Sequence, residues 1–112
     1  MTVQASVLSA STITGDDIVD PSGDSLGKLE DLMIDTSTGN VRYAVLSFGG
    51  FMGVGDKLFA VPMQALKQDS ENHRFKLHMD KERLKDAPGF DKDHWPDFAD
   101  PAFASQVDKF YA

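Results

Sequence analysis

The run Val41 to Phe48 is apolar on both phases of a strand, with Val41, Tyr43 and Val45 on one and Ala44, Leu46 and Phe48 on the other. Successive side chains of a strand point to opposite faces, so this run needs cover on both. The preceding run, Leu26 to Asp35, ends in the same way at Leu32-Met33-Ile34. Between the two lies Thr36-Ser37-Thr38-Gly39-Asn40, a cluster of turn residues. Together they predict a hairpin that cannot stand in water on either side. Whatever else the chain contains must supply two covering layers, from itself or from a second molecule.

The rest of the chain reads as short strands between tight turns. Ile18-Val19 precedes Asp20-Pro21-Ser22-Gly23-Asp24, a β-turn signal. Leu26 and Leu29 fall on opposite phases around Gly27, which predicts a β-bulge near that glycine. Lys57 to Val61 is a further strand, stopped by Pro62, and Met63 to Leu66 reads as one helical turn. His73 to Met79 alternates cleanly, with Phe75, Leu77 and Met79 inward and Arg74, Lys76 and His78 outward. Lys81 to Asp86 predicts one to two helical turns before Pro88-Gly89 breaks the chain. Five or six strands of this kind favour a small antiparallel β-barrel or sandwich.

Three segments follow from this reading. Residues 1–11 are small and polar without a period and read as a flexible arm, 12–87 as the β domain, and 88–112 as an extension of different character. The extension holds 6 of the 11 aromatic residues, too many for a disordered tail. Asp100-Pro101 is a helix start, with Asp as cap and Pro in the first turn. Phe103, Val107 and Phe110 then recur on one face. A helix of about 11 residues is marginal alone, so it must dock, either on its own domain or on a second chain.

Composition excludes several functions. With 18 acids against 11 bases, the chain lacks the basic excess that phosphate neutralisation demands of nucleic-acid binders. Residues 51–89 carry 7 bases and 6 acids, with no basic run interleaved with aromatics, so no direct nucleic-acid binding is expected. The absence of cysteine removes disulfides, thiolate metal sites and iron–sulfur clusters. No window reaches the roughly 18 apolar residues of a membrane span, and the first residues lack a secretory leader, so the expected compartment is the cytoplasm.

Motifs of catalysis are missing. Gly49-Gly50-Phe51-Met52-Gly53-Val54-Gly55 is glycine-rich, but Asp56 stands where a phosphate loop has Lys. His73, His78 and His94 have no metal-binding spacing, and Asp91, Asp93 and Asp97 lack the rest of a calcium loop. Glu30 and Asp31 are adjacent and point to opposite faces, so they make no acid–base pair. No cofactor, metal or catalytic residue is expected. The apolar residues that stand out as candidate partner contacts are Phe51, Met52, Trp95, Phe98, Phe103, Val107 and Phe110.

The segment Gly27-Lys28-Leu29-Glu30-Asp31-Leu32-Met33-Ile34-Asp35, the Gly39 turn and Val41-Arg42-Tyr43-Ala44-Val45 resemble the opening hairpin of the PRC-barrel family. Gly49 to Lys57 followed by Val61-Pro62 and Leu66 resembles its next segment, and the likeness spans about residues 13–86. The tail, with Trp95-Pro96-Asp97-Phe98 and Asp100-Pro101, resembles an extension on stand-alone bacterial members. The family includes the cytoplasmic domain of the photosynthetic reaction-centre H subunit and the C-terminal domain of a ribosome maturation factor. The resemblance implies a small, bent β-barrel with a short C-terminal helical extension, used as a binding or assembly module. The expected function is therefore a non-catalytic adaptor for an unidentified protein, homodimeric through its apolar surfaces. The alternatives are an H-subunit-like role in assembling an electron-transfer complex, and a small-ligand binder or enzyme. The H subunit's membrane helix and the ribosome factor's N-terminal domain have no counterpart in the sequence, so neither specific role carries over.

Overall fold

The structure is a computed structural model and describes residues 7–48 and 57–111. Phe51 and Met52 lie outside the described residues. The chain opens with a helical turn, α1 (Ala10–Ile13), capped by the Ser9 hydroxyl, which accepts from the Thr12 N–H at 3.1 Å. Ile13, two residues beyond the arm expected over 1–11, is buried. Seven strands follow: β1 (Asp17–Val19), β2 (Ser25–Ile34), β3 (Val41–Phe48), β4 (Lys57–Pro62), β5 (Leu66–Asp69), β6 (Arg74–Leu77) and β7 (Gly89–Asp91). The helices α2 (Lys81–Leu84) and α3 (Pro101–Tyr111) complete the described chain.

The strands form one sheet in the order β5-β6-β1-β2-β3-β4-β7. The mainly β, barrel-like architecture is the one expected; all neighbours are antiparallel except β1 and β6, which pair in parallel. In a flat sheet β3 and β5 would sit four strand spacings apart, about 19 Å. Yet Val41 of β3 and Leu66 of β5 line the same groove of about 400 Å³, so the sheet curls over its own inner face. Ile18, Leu26, Leu29, Ala44, Leu46, Phe59, Val61, Phe75 and Leu77 fill that inner face. Leu84 of α2 joins them, fully buried. Curling supplies the first of the two covering layers.

The turns are built by side chains reaching back to the backbone. Asp20 Oδ1 accepts from the Ser22 and Asp24 N–H groups, both at 2.9 Å. In the hairpin, Asp35 Oδ1 accepts from the Ser37 N–H at 2.9 Å and from its hydroxyl at 2.6 Å. The expected bulge is present: Ile18 pairs with Gly27 but Val19 with Ser25, leaving Leu26 as the extra residue. Gly27 takes φ +143° there, a conformation that favours glycine.

Two strands are absent from the sequence reading. Leu66–Asp69 carries one inward apolar residue, Leu66, and is held as β5 by pairing with β6. Gly89–Asp91 falls in the segment assigned to the extension, yet joins the sheet edge as β7 through Phe90 opposite Leu58. A second correction concerns Val41. The β2–β3 register jumps from Met33–Tyr43 to Ile34–Val41 and leaves Arg42 without a partner. That extra residue moves Val41 off the Tyr43 side and onto the inner groove.

Candidate interaction surface

The outer face of the sheet is where the second layer is needed. Tyr43 and Val45 of β3 and Leu58 and Ala60 of β4 all point outward there, and all are buried. Their cover is the chain's own C-terminal segment. Phe90 and Val107 join them in one cluster, with Met33, Phe98, Phe103 and Tyr111 packed at its margin. The tail therefore docks on its own barrel.

The helix start is as the sequence implies, with the Asp100 carboxylate accepting from the Ala102 N–H at 2.9 Å. At the other end, the Arg83 guanidinium donates to the Phe110 carbonyl at 3.0 Å and lies 5.2 Å from that residue's ring. A cation at the C-terminal carbonyls complements the helix dipole. Between these ends the apolar stripe divides. Phe103 and Val107 face β3 and β4, whereas Phe110 packs on the margin of the inner core. Val107 is 0% exposed, so it has no surface to offer a second chain. Among the described residues the cover over Tyr43 and Val45 comes from the tail, and there Val107 makes its contacts within the chain.

The aromatic residues form a chain of tilted and edge-on contacts, a geometry the ring quadrupole favours. Tyr43 meets Phe98 at 5.7 Å and Phe103 at 6.5 Å between centroids. Phe98 meets Phe103 at 5.2 Å and Phe90 at 5.8 Å. Trp95 rests on Phe90 at 5.0 Å and on Phe98 at 6.2 Å. Trp95 is 40% exposed, and its indole N–H already donates to the Lys92 carbonyl at 2.7 Å. What it shows to solvent is hydrocarbon on a rigid base. Of the candidate contacts, then, the structure brings Trp95, Phe98 and Phe103 together, places Phe110 apart and buries Val107.

Few titratable groups are perturbed. Hydrogen bonds from the Ser37 hydroxyl and backbone hold the Asp35 carboxyl below the ordinary range. Asn72, then Arg74 at 3.0 Å, do the same for Asp69. Burial raises the Tyr111 phenol. The Tyr43 and Tyr111 hydroxyls are buried without a hydrogen-bond partner. No polar or charged side chain other than these phenols is buried among the described residues. Among those residues, too, no three His, Asp or Glu side chains converge as a metal site, and His94 lies 4.0 Å from Asp91 on an open surface.

The sequence reading missed Ile34 and Leu8. They are 56% and 47% exposed and line the groove at the mouth of the barrel. The signal was present at Leu32-Met33-Ile34, a run that requires cover on both faces. The structure covers Leu32 and Met33 in part and leaves Ile34 bare.

No helix among the described residues is long and apolar enough to cross a membrane. Among curated proteins no relative matches the chain. The family model for the PRC-barrel domain matches residues 6–84. That span takes in α1 and every strand except β7. The curled sheet, the bulge at Gly27 and this match lead to one conclusion: the chain belongs to the PRC-barrel domain family.

Proposed function

We propose that this PRC-barrel chain is a non-catalytic adaptor that binds another protein through the ledge formed by Trp95 on Phe90 and Phe98. The observation that carries the reading is the presentation of Trp95. A large aromatic side chain stays 40% exposed although neighbouring rings hold it in place. Rigid, half-buried tryptophans on a packed base are the residues that dominate protein interfaces. A filled interior supports the non-catalytic part of the reading. The curled sheet encloses packed apolar side chains where a ligand-binding barrel would hold an open cavity with a few convergent polar groups. With Val107 committed to its own chain, the partner in this reading is a different protein.

The test is affinity isolation with the full chain and with Trp95→Ala, followed by reconstitution from purified components. The expected result is a protein that binds the full chain directly and loses about tenfold or more in affinity to the variant. The melting temperature of the variant should stay close to that of the parent. A variant that binds the same protein with equal affinity would remove the ledge from the account.

A further inference from the structure

The exposed large apolar residues of the described chain are Val7, Leu8, Ile34 and Trp95. Trp95 belongs to the ledge. Leu8 and Ile34 line one groove at the mouth of the barrel, and Val7 directly precedes Leu8 in the chain. Ala10, Ile13, Leu32, Val41, Met63 and Phe75 continue its walls. Leu8 and Ile34, 47% and 56% exposed, give the groove an apolar rim open to solvent.

A strand edge runs beside it. β1 pairs with β2 only as far as Lys28, beyond which the Leu29 N–H donates to the Asp16 carbonyl at 2.9 Å and the Leu29 carbonyl accepts from the Gly15 N–H at 2.7 Å. Beyond Leu29 that edge of β2 meets no strand among the described residues, while its other edge stays paired to β3 as far as Ile34. Glu30 to Ile34 thus form five residues without a strand on this side, about 16 Å long, with Glu30 bulged out of the β3 register and the Leu32 N–H donating to Asp31 Oδ1 at 2.7 Å. On β2 the inner phase is Leu32 and Ile34, beside the groove, and the outer phase carries Asp31 and the half-buried Met33.

Charge decides which occupant fits. Asp16, Glu30 and Asp31 flank this edge, Asp35 at its end lies within electrostatic reach of Arg42, and Lys28 at its start is paired to Asp17 at 3.1 Å. A second copy pairing here would set acidic edge against acidic edge, which like-charge repulsion disfavours. We propose that the Glu30–Ile34 edge and the adjoining groove accept an extended segment of another protein. That segment would have apolar side chains on one phase and Lys or Arg on the other. Main-chain bonds to β2 would hold the strand. Its apolar residues would lie against Leu8, Leu32 and Ile34, and its cations would face Asp31. This site is separate from the Trp95 ledge and does not depend on it.

The experiment is an NMR titration of the isotopically labelled full chain with a synthetic ten-residue peptide alternating Val and Lys. A peptide alternating Val and Glu is the control. Expected are shifts confined to Leu8–Ile13, Glu30–Val41 and Leu66–Gln68, weakened by salt and absent with the Glu peptide. Ile34→Glu should reduce affinity about tenfold or more, and Asp31→Asn less, both with the fold retained by their spectra. The proposal is overturned if the Lys peptide produces no shifts, shifts elsewhere, or binding that the Glu peptide matches. Shifts at this edge that grow with protein concentration without peptide would assign it to a second copy. Shifts there on deleting residues 1–6 would assign it to the chain's own start. Either result also overturns the proposal.

Discussion

Gly27→Ala should be among the most damaging single-methyl changes this chain can receive. Gly27 sits at φ +143°, which an L side chain rarely adopts. Forcing a non-glycine residue to hold such a conformation costs about 1–3 kcal/mol. Space adds a second penalty. A Cβ built on Gly27 would lie 2.1 Å from the Ser47 carbonyl oxygen and 2.9 Å from Leu46 Cδ1. The first neighbour is backbone of the paired strand and cannot rotate away. Relief requires β2 and β3 to part where Lys28 pairs with Ser47. The two effects together come to about 3–5 kcal/mol, a large share of the 5–15 kcal/mol that holds a domain of this size. Gly23→Ala is the control, since Gly23 also has positive φ, +94°, but nothing within 4 Å of the added carbon. It should cost about 1–2 kcal/mol from conformation alone. Equilibrium urea unfolding of the three proteins, read at constant slope, gives both differences. If Gly27→Ala fell within about 0.5 kcal/mol of Gly23→Ala, the close approach of β2 to β3 would be refuted.

Other substitutions probe the tail and the titrating groups. Val107→Ala removes two methyl groups from a site with no exposure and should cost about 2 kcal/mol in urea unfolding, whereas a tail lying free would show almost none. Tyr43→Phe and Tyr111→Phe delete hydroxyls that lack a partner, so each should be neutral or stabilising by up to about 1 kcal/mol in thermal melts. The raised Tyr111 phenol also sets a direction with pH: the unfolded chain gives up that proton first, so stability should fall as pH rises past 10. Tyr111→Phe should flatten that alkaline fall in a pH series of melts. On the acid side, the lowered carboxyls of Asp35 and Asp69 contribute stability above their unfolded pKa, and it is lost as pH falls below about 4. Asp69→Asn should make the acid transition shallower, and an unchanged slope would argue against the bonds from Asn72 and Arg74.

Local chemistry made much of the fold legible. The hairpin from Leu26 to Phe48 announces itself because its strands are long and apolar and its turn is rich in Asp, Ser, Thr and Gly. The bulge was readable because Leu26 and Leu29 break phase around a glycine. The helix α3 was readable because Asp100-Pro101 and an apolar stripe coincide. What stayed hidden depends on distant partners. Leu66-Lys67-Gln68-Asp69 has the pattern of a loop, and only hydrogen bonding to β6 makes it a strand. The parallel pairing of β1 with β6 joins residues more than fifty positions apart. The phase of Val41 rests on an extra residue at Arg42, and no glycine marks the irregularity. For the candidate surface, the aromatic tail could be seen as a docking element, but its target could not. Phe103 and Val107 have the same pattern whether they meet β3 of their own chain or of another. The need for cover at Tyr43 and Val45 was visible, and the structure answers it within the chain.

The claim that the tail covers the outer face of its own barrel is tested most directly by isotope-filtered nuclear Overhauser spectroscopy. Labelled and unlabelled full-length chains would be mixed in equal amounts through an unfolding and refolding cycle. Contacts between the Val107 methyl groups and the side chains of Tyr43 and Leu58 should then appear only within a labelled chain. Strong Val107 to Tyr43 contacts between labelled and unlabelled chains would place the tail on a neighbour and contradict the account.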